Sequence, residues 1–232
     1  MSRENSYFKF FSFGLDNFAS RSLIRIRTAA VEFFLEQADP EATDLVLDAG
    51  VSDEDHPSSN FLEKRYPYIN RITGLSCHDF SGLEKVYPGF SFVQGDARKL
   101  PFEDRCFDFA YSHAVIEHVG NSGNQTDFIR ELDRVTKKGF FFTTPNRLHP
   151  LEFHTGLPVI HYLPKKLHWK LYTMLGKGFY GDMNKLNLLT VHQIKHHVNT
   201  ALGDKVDITV KSLYWMGFPA IIMIYVRKNS KG

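Results

Sequence analysis

The stretch at residues 92–118, FVQGDARKLPFEDRCFDFAYSHAVIEH, constrains the fold most tightly. It reads as a strand, an acidic turn, a short loop, a second strand and a helix. Gly95-Asp96-Ala97 closes the first strand, Phe107-Asp108 opens the second, and Glu117-His118 falls on the helix that follows. This pattern places a carboxylate at the carboxyl end of one parallel strand, with a neighbouring strand end beside it. In open α/β sheets that is where ligands bind.

The rest of the chain keeps the same rhythm. Residues 19–37 carry Leu23, Ile26, Ala30, Phe33 and Phe34 at helical spacing. Strands are expected at 45–47, 71–75, 90–94, 107–112 and 139–143, with a crossover helix at 58–66 and another at 127–135. Alternation of this kind implies right-handed crossovers and a mainly parallel sheet. The rhythm breaks at 146–189, which is rich in proline, glycine, histidine and aromatic residues and reads as a lid-like insertion. A helix at 190–202 follows, with Thr190 as N-cap, and strands at 206–213 and 220–226 close the chain as an antiparallel hairpin. The expected architecture is a Rossmann-like α/β fold: a mainly parallel seven-stranded sheet with helices on both faces. It forms a single domain over 1–232, with an N-terminal helical segment (about 1–40).

Composition narrows the function classes. At 232 residues, 43% of them hydrophobic, the chain can bury a substantial core. A net charge of +2 gives no general argument for nucleic acid. The two cysteines, Cys77 and Cys106, sit in or beside apolar runs and read as buried thiols of a reducing compartment. No apolar run is long enough to span a bilayer, and the aromatic N-terminus lacks a signal-peptide core. A cytoplasmic location is expected. Contact with a membrane surface and self-association stay open, the aromatic N-terminus (Tyr7, Phe8, Phe10, Phe11, Phe13) being a candidate for an apolar acceptor pocket or a dimer contact.

Five motifs in order carry a family resemblance: VLDAG at 46–50, ITGLS at 72–76, GDARKLPFED at 95–104, FDFAYSHAVIEHV at 107–119 and RELDRVTKKGFFFTTPN at 130–146. Together they resemble the class I S-adenosylmethionine-dependent methyltransferases, especially their small-molecule branch. The resemblance implies S-adenosylmethionine as cofactor. Asp48 and Gly50 match the turn that approaches its methionine end. Asp96 matches the carboxylate that accepts from the adenine amino group, with the Ala97 amide on a ring nitrogen and Leu100 against the ring. Ser112 and His113 lie where the reactive methyl meets the acceptor.

Two departures stand out. The family pattern D-x-G-x-G-x-G reads here Asp48-Ala49-Gly50-Val51-Ser52-Asp53-Glu54, so two glycines are replaced. Where the family has an acidic residue for the ribose hydroxyls, this chain has Ser76, with Asp79 three positions on. Each loss is expected to weaken cofactor binding by on the order of 1–3 kcal/mol. Two function classes are therefore carried forward. One is methyl transfer to an oxygen or nitrogen of a small or lipid-linked acceptor. The other is a methyltransferase fold retained as a binding or scaffold protein.

The segment at 144–158, TPNRLHPLEFHTGLP, resembles more loosely a stretch of bacterial methyltransferases of surface-polysaccharide and lipid modification. His149, Glu152, His154 and His161 have three roles open to them: capping turns, acting as general base, or holding a metal. Their spacing matches no standard zinc motif and no metal is expected. The base candidates are His113, His149 and His154. Glu117 falls four residues after His113, so the two are expected on one helix face. Residues 163–179 read as a lid helix, with Leu167, Leu171, Met174 and Leu175 on one face and Lys165, Lys166, Lys170 and Lys177 around it.

Overall fold

The computed structural model describes residues 16–52, 59–182, 184–204 and 206–229. The aromatic N-terminal run lies outside the described residues, as does Glu54. A long helix, α1 (Asp16–Ala38), opens the described chain and buries Ala30, Val31, Phe33 and Phe34. Seven strands follow: β1 (Val46–Ala49), β2 (Ile72–Ser76), β3 (Ser91–Gln94), β4 (Phe107–His113), β5 (Thr136–Pro145), β6 (Val206–Trp215) and β7 (Phe218–Lys228). They form one sheet in the order β3-β2-β1-β4-β5-β7-β6. The first five run parallel, and β7 is antiparallel to both β5 and β6. The order reverses between β1 and β4, which opens a crevice beyond their carboxyl ends.

The side-chain period of two divides the core into two layers. Phe140 and Phe142 face one way with Leu47 and Ala49, against Phe128 and Leu132 of α3 (Ser122–Val135) and Ile194 and Val198 of α5 (Val191–Leu202). Phe141 faces the other way with Val46, Phe109 and Tyr111, under Phe33 and Phe34 of α1. The Tyr111 and Phe141 rings stack at 5.3 Å. Each such fully buried side chain contributes about 1.5–3 kcal/mol of transfer free energy. Helix α5 begins with a capping box: Thr190 accepts from the Gln193 amide while the Gln193 side chain accepts from the Thr190 amide. The remaining helices are short: α2 (Leu83–Val86) and α4 (Lys165–Met174), the latter within 146–189.

Several expectations need correction. Residues 59–66 form turns rather than a crossover helix, because Asn60 adopts a positive φ of 47° that no α-helix admits. Glu117 and His118 lie on a single 3-10 turn, Ile116–His118, and not on a longer helix. His113 belongs to β4, and Ala114 at φ 56° breaks the chain direction between them, so His113 and Glu117 share no helix face. The cysteines are not both buried: Cys77 is exposed and Cys106 intermediate. No described helix is long and apolar enough to cross a membrane.

Candidate active site

The crevice has two sides. Ser112 joins them at the switch point: its hydroxyl, fully buried, donates to the Ala49 carbonyl at 2.6 Å and ties the ends of β4 and β1 together. Gly50 follows at φ 127°, and a Cβ there would lie 2.3 Å from Val115 Cγ2. Only glycine fits that turn. Beyond it, Asn60 takes over the stitching, accepting from the Ser52 amide at 3.0 Å and donating to the Ser52 carbonyl at 2.6 Å.

On the β1–β3 side the chemistry is acidic. Asp48 aligns with Tyr111 across β1 and β4 and is buried. Burial first, then the neighbouring Glu63 carboxyl, pushes Asp48 well above the usual carboxylate range, against the pull of Arg27 from α1. Burial raises Glu63 to about 7. Both Glu63 oxygens and the Tyr111 hydroxyl are sealed without a hydrogen bond of good geometry among the described residues. At the end of β2, Ser76 is buried and its hydroxyl accepts from the His78 amide at 3.4 Å. Asp79 is spent locally on the Ser81 amide at 3.0 Å. At the end of β3, the Asp96 side chain keeps 46% exposure and is gripped by Arg98, Nε to Oδ1 at 2.9 Å and to Oδ2 at 3.0 Å. These hydrogen bonds hold Asp96 below the usual carboxylate range. Ala97 is partly buried beside it, whereas Leu100 is 4% exposed and belongs to the core that includes Leu75 and Phe107.

On the β4–β5 side the chemistry is histidine-rich. His113 Nδ1 lies 3.0 Å from Thr143 Oγ1, and burial together with Arg27 lowers its pKa to about 3. His149 is a structural residue. It is 2% exposed, its Nδ1 lies 2.9 Å from the Leu151 carbonyl, and its ring packs 4.8 Å from that of Phe153. His161 is likewise buried, with Nε2 3.0 Å from the His149 carbonyl. His154 is different. Its Nδ1 meets Glu152 Oε1 at 2.8 Å, and its Nε2 faces His118 Nε2 at 3.1 Å. Burial would lower His154, but the Glu152 and Glu117 carboxylates more than offset that and raise it. Glu152 itself, against its burial, is drawn down to about 2 by His154 and by the amides of His154 and Thr155 at 2.8 and 2.6 Å.

Glu117 completes this group. It is 0% exposed, its Oε2 accepts from Thr144 Oγ1 at 3.0 Å, and burial raises it to about 7. Its turn is clamped from two distant helical and loop positions. Gln125 donates to the Ile116 carbonyl at 3.2 Å, and Asn187 donates to the Gly120 carbonyl at 3.0 Å. The Asn187 amide also donates to the Glu117 carbonyl at 2.7 Å. Donor atoms of Glu117, His118 and His154 all fall within 4.8 Å of one another. Sequence reasoning missed this grouping, because it sought partners for His154 inside 149–161 rather than in the turn after β4. The residue pair EH after a strand end was the available signal.

Residues 76–143 match a protein-family model described as a methyltransferase domain. Solved structures with the same architecture include a S-adenosylmethionine-dependent methyltransferase from Mesorhizobium loti, 15% identical, covering 87% of this chain and 100% of that one at a TM-score of 0.60. The magnesium protoporphyrin IX methyltransferase of Synechocystis, solved with bound S-adenosylhomocysteine, is 14% identical and covers 90% of this chain and 86% of that one at a TM-score of 0.55. The [4+2]-cyclase SpnF is 15% identical and covers 85% of this chain and 79% of that one at a TM-score of 0.56. The sheet order is that of the class I methyltransferase fold, and residues 76–143 carry the likeness to the methyltransferase domain. The cyclase shows that the architecture alone does not fix the reaction.

Proposed function

We propose that this protein transfers a methyl group from S-adenosylmethionine to an oxygen or nitrogen of a small acceptor. The observation that carries the reading is Asp96, a half-exposed carboxylate at the end of β3 in a sheet whose order reverses between β1 and β4. The donor set suits the cofactor at both ends. Asp96 offers an ionised acceptor for an adenine amino group. Its pair with Arg98 is no obstacle, since ion pairs this exposed are worth about 1 kcal/mol or less. At the other end, the neighbouring carboxyls of Asp48 and Glu63, both raised, suit an ammonium group, which would hold both ionised.

Bound there, the cofactor supplies an electrophilic sulfonium methyl. The chain's own part is alignment and exclusion of water, with proximity carrying much of the rate. Among the three histidines offered as bases, His149 is committed to its turn and His113 is held too acidic to take a proton near pH 7. His154 has the oriented carboxylate partner that a base needs, so we assign acceptor deprotonation to the Glu152–His154 pair. The looser likeness of residues 144–158 supports a sugar or lipid-linked glycan as acceptor, as in polysaccharide biosynthesis, with 146–189 as its lid. A second reading, a cofactor-free binding protein, is favoured by one observation: Asn60 stitches the turn where the family pattern has glycine.

Calorimetric titration with S-adenosylmethionine and S-adenosylhomocysteine separates the two. Micromolar binding that Asp96→Ala weakens at least tenfold is the expected result. Absence of heat at millimolar ligand would establish the cofactor-free reading instead.

A further inference from the structure

The geometry points to a divalent-cation site formed by Glu117, His118 and His154. It goes beyond the methyl-transfer reading and does not depend on it.

Each imidazole is held from its far side. His118 Nδ1 lies 2.7 Å from the Lys185 carbonyl, and His154 Nδ1 lies 2.8 Å from Glu152 Oε1. Both partners are acceptors, so both Nδ1 atoms carry the hydrogen. In the neutral rings each Nε2 is then a bare lone pair, and the two lone pairs face each other at 3.1 Å. That arrangement repels unless something positive lies between. A third acceptor converges on the same place: Glu117 Oε1, 3.9 Å from His154 Nε2, is sealed and has no hydrogen-bond partner among the described residues.

A single proton on His154 would bridge the two rings and meet Glu117 Oε1 only as an ion pair at 3.9 Å, leaving that oxygen without a hydrogen bond among the described residues. A cation satisfies all three atoms. Tetrahedral ligands at roughly 2.0–2.2 Å from zinc stand about 3.3–3.6 Å apart; the two separations to His154 Nε2, 3.1 and 3.9 Å, bracket that value, and all three donor atoms lie within 4.8 Å of one another. Two imidazoles and one carboxylate suit Zn²⁺, Co²⁺, Fe²⁺ or Mn²⁺ over Mg²⁺ or Ca²⁺. The supports behind the ligands are also in place. A carboxylate orients one histidine and a backbone carbonyl the other, and Thr144 holds the second oxygen of Glu117. Three protein ligands leave a position for water or an acceptor oxygen. Cation binding and proton removal both need the Nε2 lone pair of His154, so in the loaded protein the cation would lower the pKa of a bound acceptor hydroxyl and its proton would pass to solvent water.

The test uses the full chain, stripped with a chelator and titrated with Co²⁺ in the absence of S-adenosylmethionine. The expected result is one Co²⁺ per chain, visible as ligand-field absorption, displaced by Zn²⁺. Glu117→Gln and His118→Ala should each weaken uptake at least tenfold, and Glu152→Gln by 10–100-fold through His154. Wild-type protein that takes up no stoichiometric Co²⁺ or Zn²⁺ at millimolar concentration would overturn the site, leaving a proton between the imidazoles. Uptake undiminished in a folded Glu117→Gln His154→Ala double variant would overturn it equally. Cofactor titration of the same samples is independent, so failure of one reading does not mask failure of the other.

Discussion

At the β3 end of the crevice, Asp96 is half exposed and answered by a neighbour two residues away, Arg98. At the β4–β5 end, Glu117 is sealed, and its turn is held by Gln125 and Asn187 from elsewhere in the chain. The β3 end is held by a local, solvent-screened pair, although Asp48 and Glu63 nearer β1 are buried, and the β4–β5 side is held by buried, long-range contacts. Rigidity is thus concentrated where an acceptor would be oriented, and looseness where a cofactor would exchange. Such a division suits an enzyme that must release a spent cofactor each turnover while keeping its reacting groups fixed.

Four perturbations test this contrast, from the largest expected effect to the smallest. Glu152→Ala strikes the rigid side. It strands a buried histidine and two amides, and should cost about 3–5 kcal/mol in denaturant unfolding; a cost below about 1 kcal/mol would show that side to be no firmer than the other. Gly50→Ala strikes the junction. The clash with Val115 and the φ of 127° together predict a loss of about 2–4 kcal/mol. Adding Val115→Ala should recover the steric share and leave the backbone share.

Acidification is the third. His113 titrates at about 3 in the folded chain against 6.5 ordinarily. The unfolded chain therefore binds more protons between those values, so this stability is complete above pH 6.5 and is lost as pH falls through the window. His113→Asn should flatten the slope of unfolding free energy against pH below 6.5. An unchanged slope would place the acid sensitivity elsewhere. Arg98→Ala is the last and should change stability by under about 1 kcal/mol, since it removes an exposed pair. A larger loss would mean that the cofactor side is also built on its ion pair.

Much of the fold was legible because it rests on period and punctuation. Phe140, Phe141 and Phe142 alternate across the sheet as an interior strand must, and Thr190 with Gln193 announces the start of α5. The two misread helices share one cause, a residue in left-handed backbone conformation that is not glycine. Asn60 and Ala114 both lie at positive φ, and propensity gave no warning of either. The placement of Asp96 at a strand end was readable from order alone, whereas its pairing with Arg98 emerges only from the structure. Pairing of His118 with His154 was not readable. They stand 36 positions apart with all of α3 and β5 between them, and only tertiary packing brings the two rings together.

The clamp on the Glu117 turn has a consequence for biosynthesis. Gln125 is made soon after Glu117, but Asn187 follows 62 residues after Gln125. Strands β1 to β5 are synthesised before that fastening, and α5, β6 and β7, which close the sheet, come after it. A polypeptide truncated ahead of Asn187 would lack both this clamp and the antiparallel strand beside β5, so the rim of the crevice and the closing edge of the sheet are completed together.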